Sequence, residues 1–212
     1  MKPAKVTFEE QAPMIQMPPP KTAKKIEDDG SPHIELITGG RFYYNNPTWD
    51  IGAIAHSLSM LCRFNGHCKK FYSVAEHSIL VSRIMEDMGL GDPMEGLLHD
   101  ATESVLADMP RPAKILLKDY KVLEKALDAS MRKTFVLPEI QTDGCHKADG
   151  IALMVEAREI MPNKGALYIV PDDVRLAASK TTYMIAGWSP ENARERFMTR
   201  MHDIRRRTRG LR

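Results

Sequence analysis

The sequence predicts an all-α fold with one small β-hairpin near its N-terminal end. From residue 51 onward, apolar residues recur at helical spacing in successive segments, and capping residues, prolines and glycines separate these segments. Before them, two short extended segments, 34–38 and 41–44, flank the turn pair Gly39-Gly40. With 212 residues, 43% of them hydrophobic, the chain is long enough for one substantial core.

The helices are separated by recognisable start and stop signals. Ser73 followed by Glu76 forms a capping box that opens the second helix. Pro110 and Pro112 are expected to end the third helix, and Pro190 lies in the first turn of the last one. The predicted helices span 51–63, 74–88, 94–107, 119–135 and 146–161, with one more within 172–186 and a last one from residue 190.

The first part of the chain differs in composition from the rest. Residues 1–33 are rich in proline, lysine and glutamate and lack the apolar residues needed for a core, so we predict a flexible N-terminal arm there. An arm that wraps a neighbouring subunit is the alternative. Residues 34–212 are predicted to form a single domain, since no internal repeat divides them.

Charge and cysteine usage indicate a cytoplasmic protein. The net charge of +2 does not indicate binding to a nucleic-acid polymer. The basic run 205–209 is expected to be a solvated tail, with attraction to phosphates as the alternative. Cys62, Cys68 and Cys145 form no CxxC pair and are odd in number, which argues against a disulfide framework. No segment has the signal-peptide pattern or the apolar length of a membrane span.

The adjacent pair His99-Asp100 is the strongest chemical signal in the chain. A carboxylate behind an apolar run is costly to bury without a cation, so a metal ion is a natural partner for Asp100. His77 and Asp149 complete a set of two imidazoles and two carboxylates that suits Mn, Co, Fe or Zn. The alternatives are structural hydrogen bonds for each histidine and, for Asp149, helix capping or pairing with Lys147. The set indicates metal-assisted hydrolysis.

The sequence around these residues resembles HD-domain phosphohydrolases. The strings EHS at 76–78, HDATE at 99–103, DMPRPAK at 108–114 and KAD at 147–149 resemble the bacterial 5′-deoxynucleotidases and their phage and prophage relatives. The resemblance covers about residues 38–200. It implies an HD-domain helical bundle whose metal ligands are His77, His99, Asp100 and Asp149. It also implies one divalent transition metal (Co, Mn, Zn or Fe), with Mg accompanying the substrate phosphates as a further candidate.

The same resemblance assigns roles to four other residues, and the hydrolytic mechanism suggests a role for Lys114. Glu103 places or activates the attacking water, and Asp108 acts as general acid or orients the leaving group. Arg63 contacts phosphate or sugar, with a surface salt bridge as the alternative. Phe64 lies beside the deoxyribose, with a plain core position as the alternative, and Lys114 stabilises developing phosphoryl charge.

The expected function is therefore hydrolysis of deoxynucleotides. A 5′-deoxynucleotidase that releases phosphate from dNMPs comes first. A dNTP (dATP) triphosphohydrolase is the alternative, because Lys69, Lys70 and Arg111 add positive charge near the site. A non-catalytic nucleotide-binding HD domain and a cyclic-nucleotide or alarmone hydrolase are further alternatives. The expected partners are a deoxynucleotide substrate and, by family analogy, further copies of the chain, with no nucleic-acid polymer and no membrane.

Overall fold

In this computed structural model, which describes residues 30–210, a two-stranded hairpin precedes a bundle of helices. The strands are β1 (His33–Glu35) and β2 (Arg41–Tyr43), and the helices are α1 (Ile51–Met60), α2 (Val74–Asp87), α3 (Pro93–Leu98), α4 (Glu103–Leu106), α5 (Arg111–Leu116), α6 (Lys118–Phe135), α7 (Asp143–Ile160), α8 (Asp172–Lys180) and α9 (Pro190–Gly210). The prediction of a mostly helical fold with a small hairpin is confirmed. Among the described helices, none combines the length and apolar character required to cross a bilayer. Residues 1–29 of the predicted arm lie outside the described part, and His33 already belongs to β1.

The predicted hairpin is present, but its turn is centred on Ile37 and Thr38, just before the glycine pair, so the predicted extended segment 34–38 ends early, at Glu35. Ile34 pairs with Phe42 across the antiparallel strands. Gly39 adopts φ 81° in the turn, a conformation that favours glycine. Phe42 is only 1% exposed and stacks edge-on against Trp49, with 4.8 Å between ring centroids. The hairpin is therefore attached to the bundle just before α1.

Helix α2 is the central element. It packs against α1, α3, α7 and α9, and nearly all of its side chains are buried. Ile79 belongs to a core shared with α1, α3 and α9, whereas Val81 and Ile84 belong to a second core shared with α7 and α8. A residue on α2 can therefore meet residues from both halves of the fold.

Two glycines allow the elements around α2 to approach closely. A Cβ at Gly96 in α3 would lie 2.7 Å from the Met85 sulfur and 3.0 Å from the Cα of Ser82. A Cβ at Gly144 in α7 would lie 1.8 Å from the carbonyl oxygen of Leu90. Neither position has room for a side chain, so α3 and α7 sit close to the α2 region.

The predicted helix over 94–107 is wrong as one continuous element. Helix α3 ends at Leu98 and α4 begins at Glu103. Nδ1 of His99 donates a hydrogen bond to the carbonyl of Gly96 at 2.9 Å. In a continuing α-helix the N–H of Asp100 would use that carbonyl, so the side chain competes with the helix at this point. Tighter turns with i to i+3 bonds, such as Glu103 N–H to the Asp100 carbonyl at 3.0 Å, follow the break.

The predicted first helix, 51–63, ends early, at Met60. Arg63–Gly66 instead forms a separate short turn, in which Phe64 and Asn65 have φ of 58° and 51°. Such left-handed values cannot continue an α-helix. The helix has already ended at Leu61, which is extended with φ −79° and ψ 119°, so Arg63 lies outside α1.

Three other boundaries also differ from the prediction. A further short helix, α5, begins at Arg111 where only the end of the third helix was predicted, because Pro112 lies in its first turn, where no N–H partner is needed. Helix α7 begins at Asp143 rather than 146, since the Thr142 side chain caps the N–H of Cys145. Residues 205–208 of the predicted basic tail belong to helix α9, where Arg207 pairs with Glu86 at 2.5 Å.

Candidate metal site

Four side chains from distant parts of the chain meet beside α2. Nε2 of His77 lies 3.2 Å from Nε2 of His99. An Asp100 oxygen lies 3.4 Å from the His77 nitrogen and 3.2 Å from the His99 nitrogen. An Asp149 oxygen lies 3.3 Å from the His77 nitrogen and 3.9 Å from the His99 nitrogen. The structure thus brings together all four residues that the sequence nominated as ligands.

The backbone explains this convergence. His77 lies in the first turn of α2, and Asp149 lies in α7, which packs alongside. The helix break after α3 puts His99 and Asp100 on a turn, from which both side chains reach the same point. The imidazoles are almost completely buried, whereas the carboxylates of Asp100 and Asp149 are 21% and 35% exposed. The cluster therefore opens to solvent on its carboxylate side.

Hydrogen bonds fix the orientation of both imidazoles. Nδ1 of His99 donates to the Gly96 carbonyl at 2.9 Å, and Nδ1 of His77 donates to the Glu156 carboxylate at 2.5 Å. Each partner is an acceptor, so each ring carries its proton on Nδ1 and can present Nε2 to a cation. Metal-binding histidines in proteins are held in the same way.

The donor set suits a divalent transition metal. Atoms about 2.1 Å from a common ion lie about 3.0 to 3.4 Å apart, close to most of the separations found here. The donor atoms of His77, His99 and Asp149 all lie within 4.8 Å of one another. These three residues could hold a metal ion, and Asp100 offers a fourth donor beside them. Nitrogen and oxygen donors without a thiolate suit Mn, Fe, Co and Zn.

The charges of the cluster favour a bound cation. Burial and the nearby Arg63 guanidinium oppose protonation of His77, but the carboxylates of Glu156 and Asp149 outweigh both and raise its pKa to about 10. Burial opposes ionisation of Asp149, yet the two imidazoles lower its pKa to about 2. The carboxylates therefore stay ionised, and the site attracts a proton or a metal ion.

Glu156 is the main residue that sequence reasoning missed. It is fully buried and accepts hydrogen bonds from His77 and, at 2.9 Å, from the Tyr72 hydroxyl. Its second oxygen lies 3.4 Å from the Arg63 guanidinium, which also reaches Asp100 at 3.4 Å. Glu156 follows Asp149 by seven positions, two turns along one helix face, and a lone acid in an apolar stretch was the available signal.

Arg63 is consequently paired inside the site rather than at the surface. Its guanidinium is mostly buried between the Asp100 and Glu156 carboxylates, and its Nε has no hydrogen-bond partner among the described residues. Phe64 contacts this guanidinium from outside, with 5.4 Å from the guanidinium carbon to the ring centroid, and packs partly on the second core. Both residues therefore lie next to the cluster.

Glu103 lies at the start of α4 and is 6% exposed. One of its oxygens is 3.7 Å from the Lys114 ammonium, and the other is buried without a hydrogen-bond partner among the described residues. Burial, together with the negative charges of Asp100 and Asp108, raises the pKa of Glu103 well above its ordinary value. A buried carboxyl with a raised pKa and an unused oxygen is typical of an acid–base group.

The remaining predicted residues, Asp108 and Lys114, border the same region. Burial raises the pKa of the half-buried Asp108, and the negative charge of Asp100 adds to this effect. The Lys114 ammonium donates to Glu124 at 2.6 Å, so this side chain already has a strong partner on α6. Lys114 also lies 5.9 Å from the centre of the Tyr120 ring.

Glu76, the neighbour of His77, has a role that the capping box did not predict. Ser73 accepts the N–H of Glu76, as expected. The Glu76 carboxylate, however, accepts the N–H groups of Ala186, Gly187 and Trp188 at 2.8 to 3.0 Å. It therefore fastens the segment before α9 to the first turn of α2.

Comparisons with known proteins place the chain among bacterial relatives. No family model matches the sequence. The uncharacterized protein YfdR of Escherichia coli (strain K12) is 35% identical over 174 residues, which cover 81% of this chain and 94% of that protein. The uncharacterized protein RCAP_rcc00048 of Rhodobacter capsulatus is 34% identical over 139 residues, covering 59% of this chain and 71% of its own length. The chain belongs to the same protein family as YfdR of Escherichia coli.

Proposed function

We propose that this protein is a cytoplasmic, metal-dependent phosphohydrolase of the HD type that acts on deoxynucleotides, most directly as a 5′-deoxynucleotidase. One observation carries the proposal: two oriented imidazoles and two carboxylates from α2, the α3–α4 turn and α7 converge on one point. A structural ion pair alone would not need four such donors with both ring tautomers fixed.

A divalent ion bound by these four residues would lower the pKa of a water molecule and neutralise charge on a phosphoryl group. Glu103 supplies the proton chemistry, because its buried oxygen has no other partner and its raised pKa allows it to accept and return a proton. Asp108, whose pKa is also raised, is suited to donate a proton to the leaving sugar oxygen.

Positive groups beside the donor cluster would bind the phosphate. The Arg63 guanidinium already lies 3.4 Å from Asp100, so a phosphoryl oxygen near the donor cluster comes within its reach. Lys114 lies on the Glu103 side, 3.7 Å from that carboxylate. Phe64, stacked outside Arg63, offers an apolar surface next to the sugar.

Monophosphate substrates are favoured over triphosphates by the placement of the basic residues. The Lys70 ammonium donates to the carbonyls of Ile185 and Ala186, at 2.5 and 3.3 Å, and would have to give up these bonds to reach a phosphate chain. Lys69 and Arg111 are exposed and could bind additional phosphates, which is the remaining argument for a dNTP triphosphohydrolase. Glu103 supports an enzymatic rather than a purely binding role, because one of its buried oxygens has no hydrogen-bond partner among the described residues and remains free to take up a proton.

The proposal is tested with a panel of dNMPs, dNTPs and ribonucleotides. The protein is stripped with a chelator, and each substrate is assayed with Mn²⁺, Co²⁺, Mg²⁺ and Zn²⁺ added separately. We expect inorganic phosphate from dNMPs with a transition metal and little turnover of ribonucleotides. Release of tripolyphosphate from dATP would replace the first candidate with the second. No turnover in a protein that binds metal would overturn the enzymatic proposal.

Matched carboxylate variants separate the roles within the site. Asp149→Asn should lose both metal and turnover, whereas Asp143→Asn, an exposed residue at the start of the same helix, should keep both. Asp100→Ala should likewise abolish turnover and metal retention. Glu103→Gln should retain the metal but lose turnover by about 10²- to 10⁴-fold, the usual contribution of a general acid or base. Normal turnover in Glu103→Gln would refute its assigned role.

A further inference from the structure

Two of the three cysteines face each other beside Arg63. The sulfur atoms of Cys62 and Cys68 are 4.0 Å apart, and both residues are half-buried. The Cys68 thiol also donates to the Lys70 carbonyl at 3.0 Å, which holds it in place next to Cys62. The third thiol, Cys145, is fully buried in α7 and belongs to the second core.

The segment between the two cysteines is bent into an unusual conformation. Phe64, Asn65 and Gly66 take φ values of 58°, 51° and 77° in succession. Left-handed conformations are disfavoured for residues with a side chain and persist only where the surroundings enforce them. Here they fold the segment back on itself, and this brings the two thiols together.

We propose that Cys62 and Cys68 form a reversible redox pair, a modification site whose oxidation to a disulfide displaces Arg63 and lowers turnover. The effect on turnover rests on the phosphohydrolase function proposed above. Formation of the disulfide does not depend on it.

The oxidant is a small-molecule disulfide of the glutathione class. One cysteine thiolate attacks it, which forms a mixed disulfide and releases one thiol. The second cysteine thiolate then attacks the protein sulfur of that mixed disulfide and releases the other thiol. In total the protein loses two electrons and two protons, and the oxidant gains them as two small thiols.

Closing the pair changes the positions of both cysteine side chains next to Arg63. A disulfide holds its sulfurs about 2.05 Å apart, so the Cys62 and Cys68 sulfurs must approach by about 2 Å. Backbone bonds anchor both ends of the loop: Arg63 N–H donates to the Tyr72 carbonyl and Lys69 N–H to the Ile160 carbonyl, each at 2.9 Å. Residues 64–68 lie between these anchors, and we expect the movement to fall there and to reach the Arg63 side chain through Phe64, whose ring contacts the guanidinium.

Arg63 is sensitive to such a movement. Its contacts with Asp100 and Glu156 are both 3.4 Å long, so a small displacement separates the guanidinium from both carboxylates. A misplacement of about 1 Å in a substrate-positioning group can cost about 100-fold in rate. We therefore expect oxidation to lower turnover by at least about tenfold.

Cys145 is an internal control for thiol reactivity. Burial raises its pKa to about 12, so it should resist oxidation. Burial and the neighbouring Cys62 raise the pKa of Cys68 to about 11, so attack by the Cys68 thiolate should become faster as the pH rises. Exposure of the pair, together with the short distance between its thiols, distinguishes it from the core cysteine.

The test treats the full chain with oxidised glutathione at mildly alkaline pH and follows intact mass, cysteine-linked peptides and hydrogen exchange. We expect the loss of two hydrogen atoms, a Cys62–Cys68 linked peptide, altered exchange at residues 63–67, and reversal by dithiothreitol. Cys62→Ser and Cys68→Ser should each prevent the linkage and keep basal turnover, whereas Cys145→Ser should oxidise like the parent.

Three outcomes would overturn the proposal. They are an unchanged mass, stable glutathione adducts without linkage, and linkage through Cys145. A Cys62–Cys68 linkage that leaves turnover unchanged would refute the switch. If no nucleotide is hydrolysed, the phosphohydrolase proposal fails, while the mass and exchange measurements still decide whether the redox pair exists.

Discussion

Replacing Glu156 by glutamine tests how the buried hydrogen-bond network supports the metal site. Glutamine keeps the size of the side chain but removes its negative charge. The parent carboxylate accepts from His77 at 2.5 Å and from Tyr72 at 2.9 Å, and it balances the Arg63 guanidinium at 3.4 Å. In the variant, the positive charge of the guanidinium is less well balanced and repels an incoming metal ion. The His77 ring also becomes a weaker metal ligand, because the carboxylate no longer polarises its Nδ1–H bond.

The size of the effect follows from the chemistry of such partners. Substituting the carboxylate behind a metal-binding histidine typically costs about 10- to 100-fold in metal affinity, or about 1.4 to 2.7 kcal/mol. Tyr72→Phe removes a single hydrogen bond to the same carboxylate, so its cost should be smaller, about 1 kcal/mol. The ranking of the two variants is part of the prediction.

The assay is competition for Zn²⁺ or Mn²⁺ against a chromophoric chelator, with thermal unfolding measured on the same samples. Glu159→Gln is the matched control, because Glu159 lies one turn further along α7 and accepts the Ile185 N–H at 2.8 Å, away from the donor cluster. Parent-like metal affinity in a folded Glu156→Gln protein would refute the argument, as would an equal loss in Glu159→Gln.

Three further predictions concern stability and pH. Glu76→Gln should lower the free energy of unfolding by about 2 to 3 kcal/mol, because its carboxylate accepts three backbone N–H groups; a melting temperature within about 2 °C of the parent would contradict this. Gly144→Ala should lower the free energy of unfolding by about 3 kcal/mol or more, since its Cβ would lie 1.8 Å from the Leu90 carbonyl oxygen. The control Gly40→Ala, whose Cβ meets nothing within 4 Å, should leave the free energy of unfolding nearly unchanged. The carboxylates raise the pKa of His77 to about 10, so this ring must lose a proton when a metal ion binds. The apparent metal dissociation constant should therefore fall as the pH rises from 6 to 8, by up to about tenfold per pH unit. Calorimetry in buffers of different ionisation enthalpy should detect the released proton.

Local sequence rules were enough for the helical class of the fold and for the residues that could carry chemistry. The capping residue Ser73 and the start at Pro190 depend on neighbours within a few positions, and both appear in the structure as predicted. The nomination of His77, His99 and Asp149 came from residue type, order and resemblance, and the structure places their donor atoms together. Residue type determines which atoms can bind a cation, so the candidate metal ligands can be identified from the sequence alone.

Only the tertiary structure decided how those residues are held. Glu156 meets His77 across 79 positions, and the Glu76 carboxylate meets the Trp188 N–H across 112, separations that no local rule connects. The break after α3 also escaped prediction, because the apolar pattern continues through it and nothing local shows that the His99 side chain takes the Gly96 carbonyl. Packing of α7 against α2 places the carboxylates of Asp149 and Glu156 beside the His77 ring, and these contacts exist only once the fold is assembled.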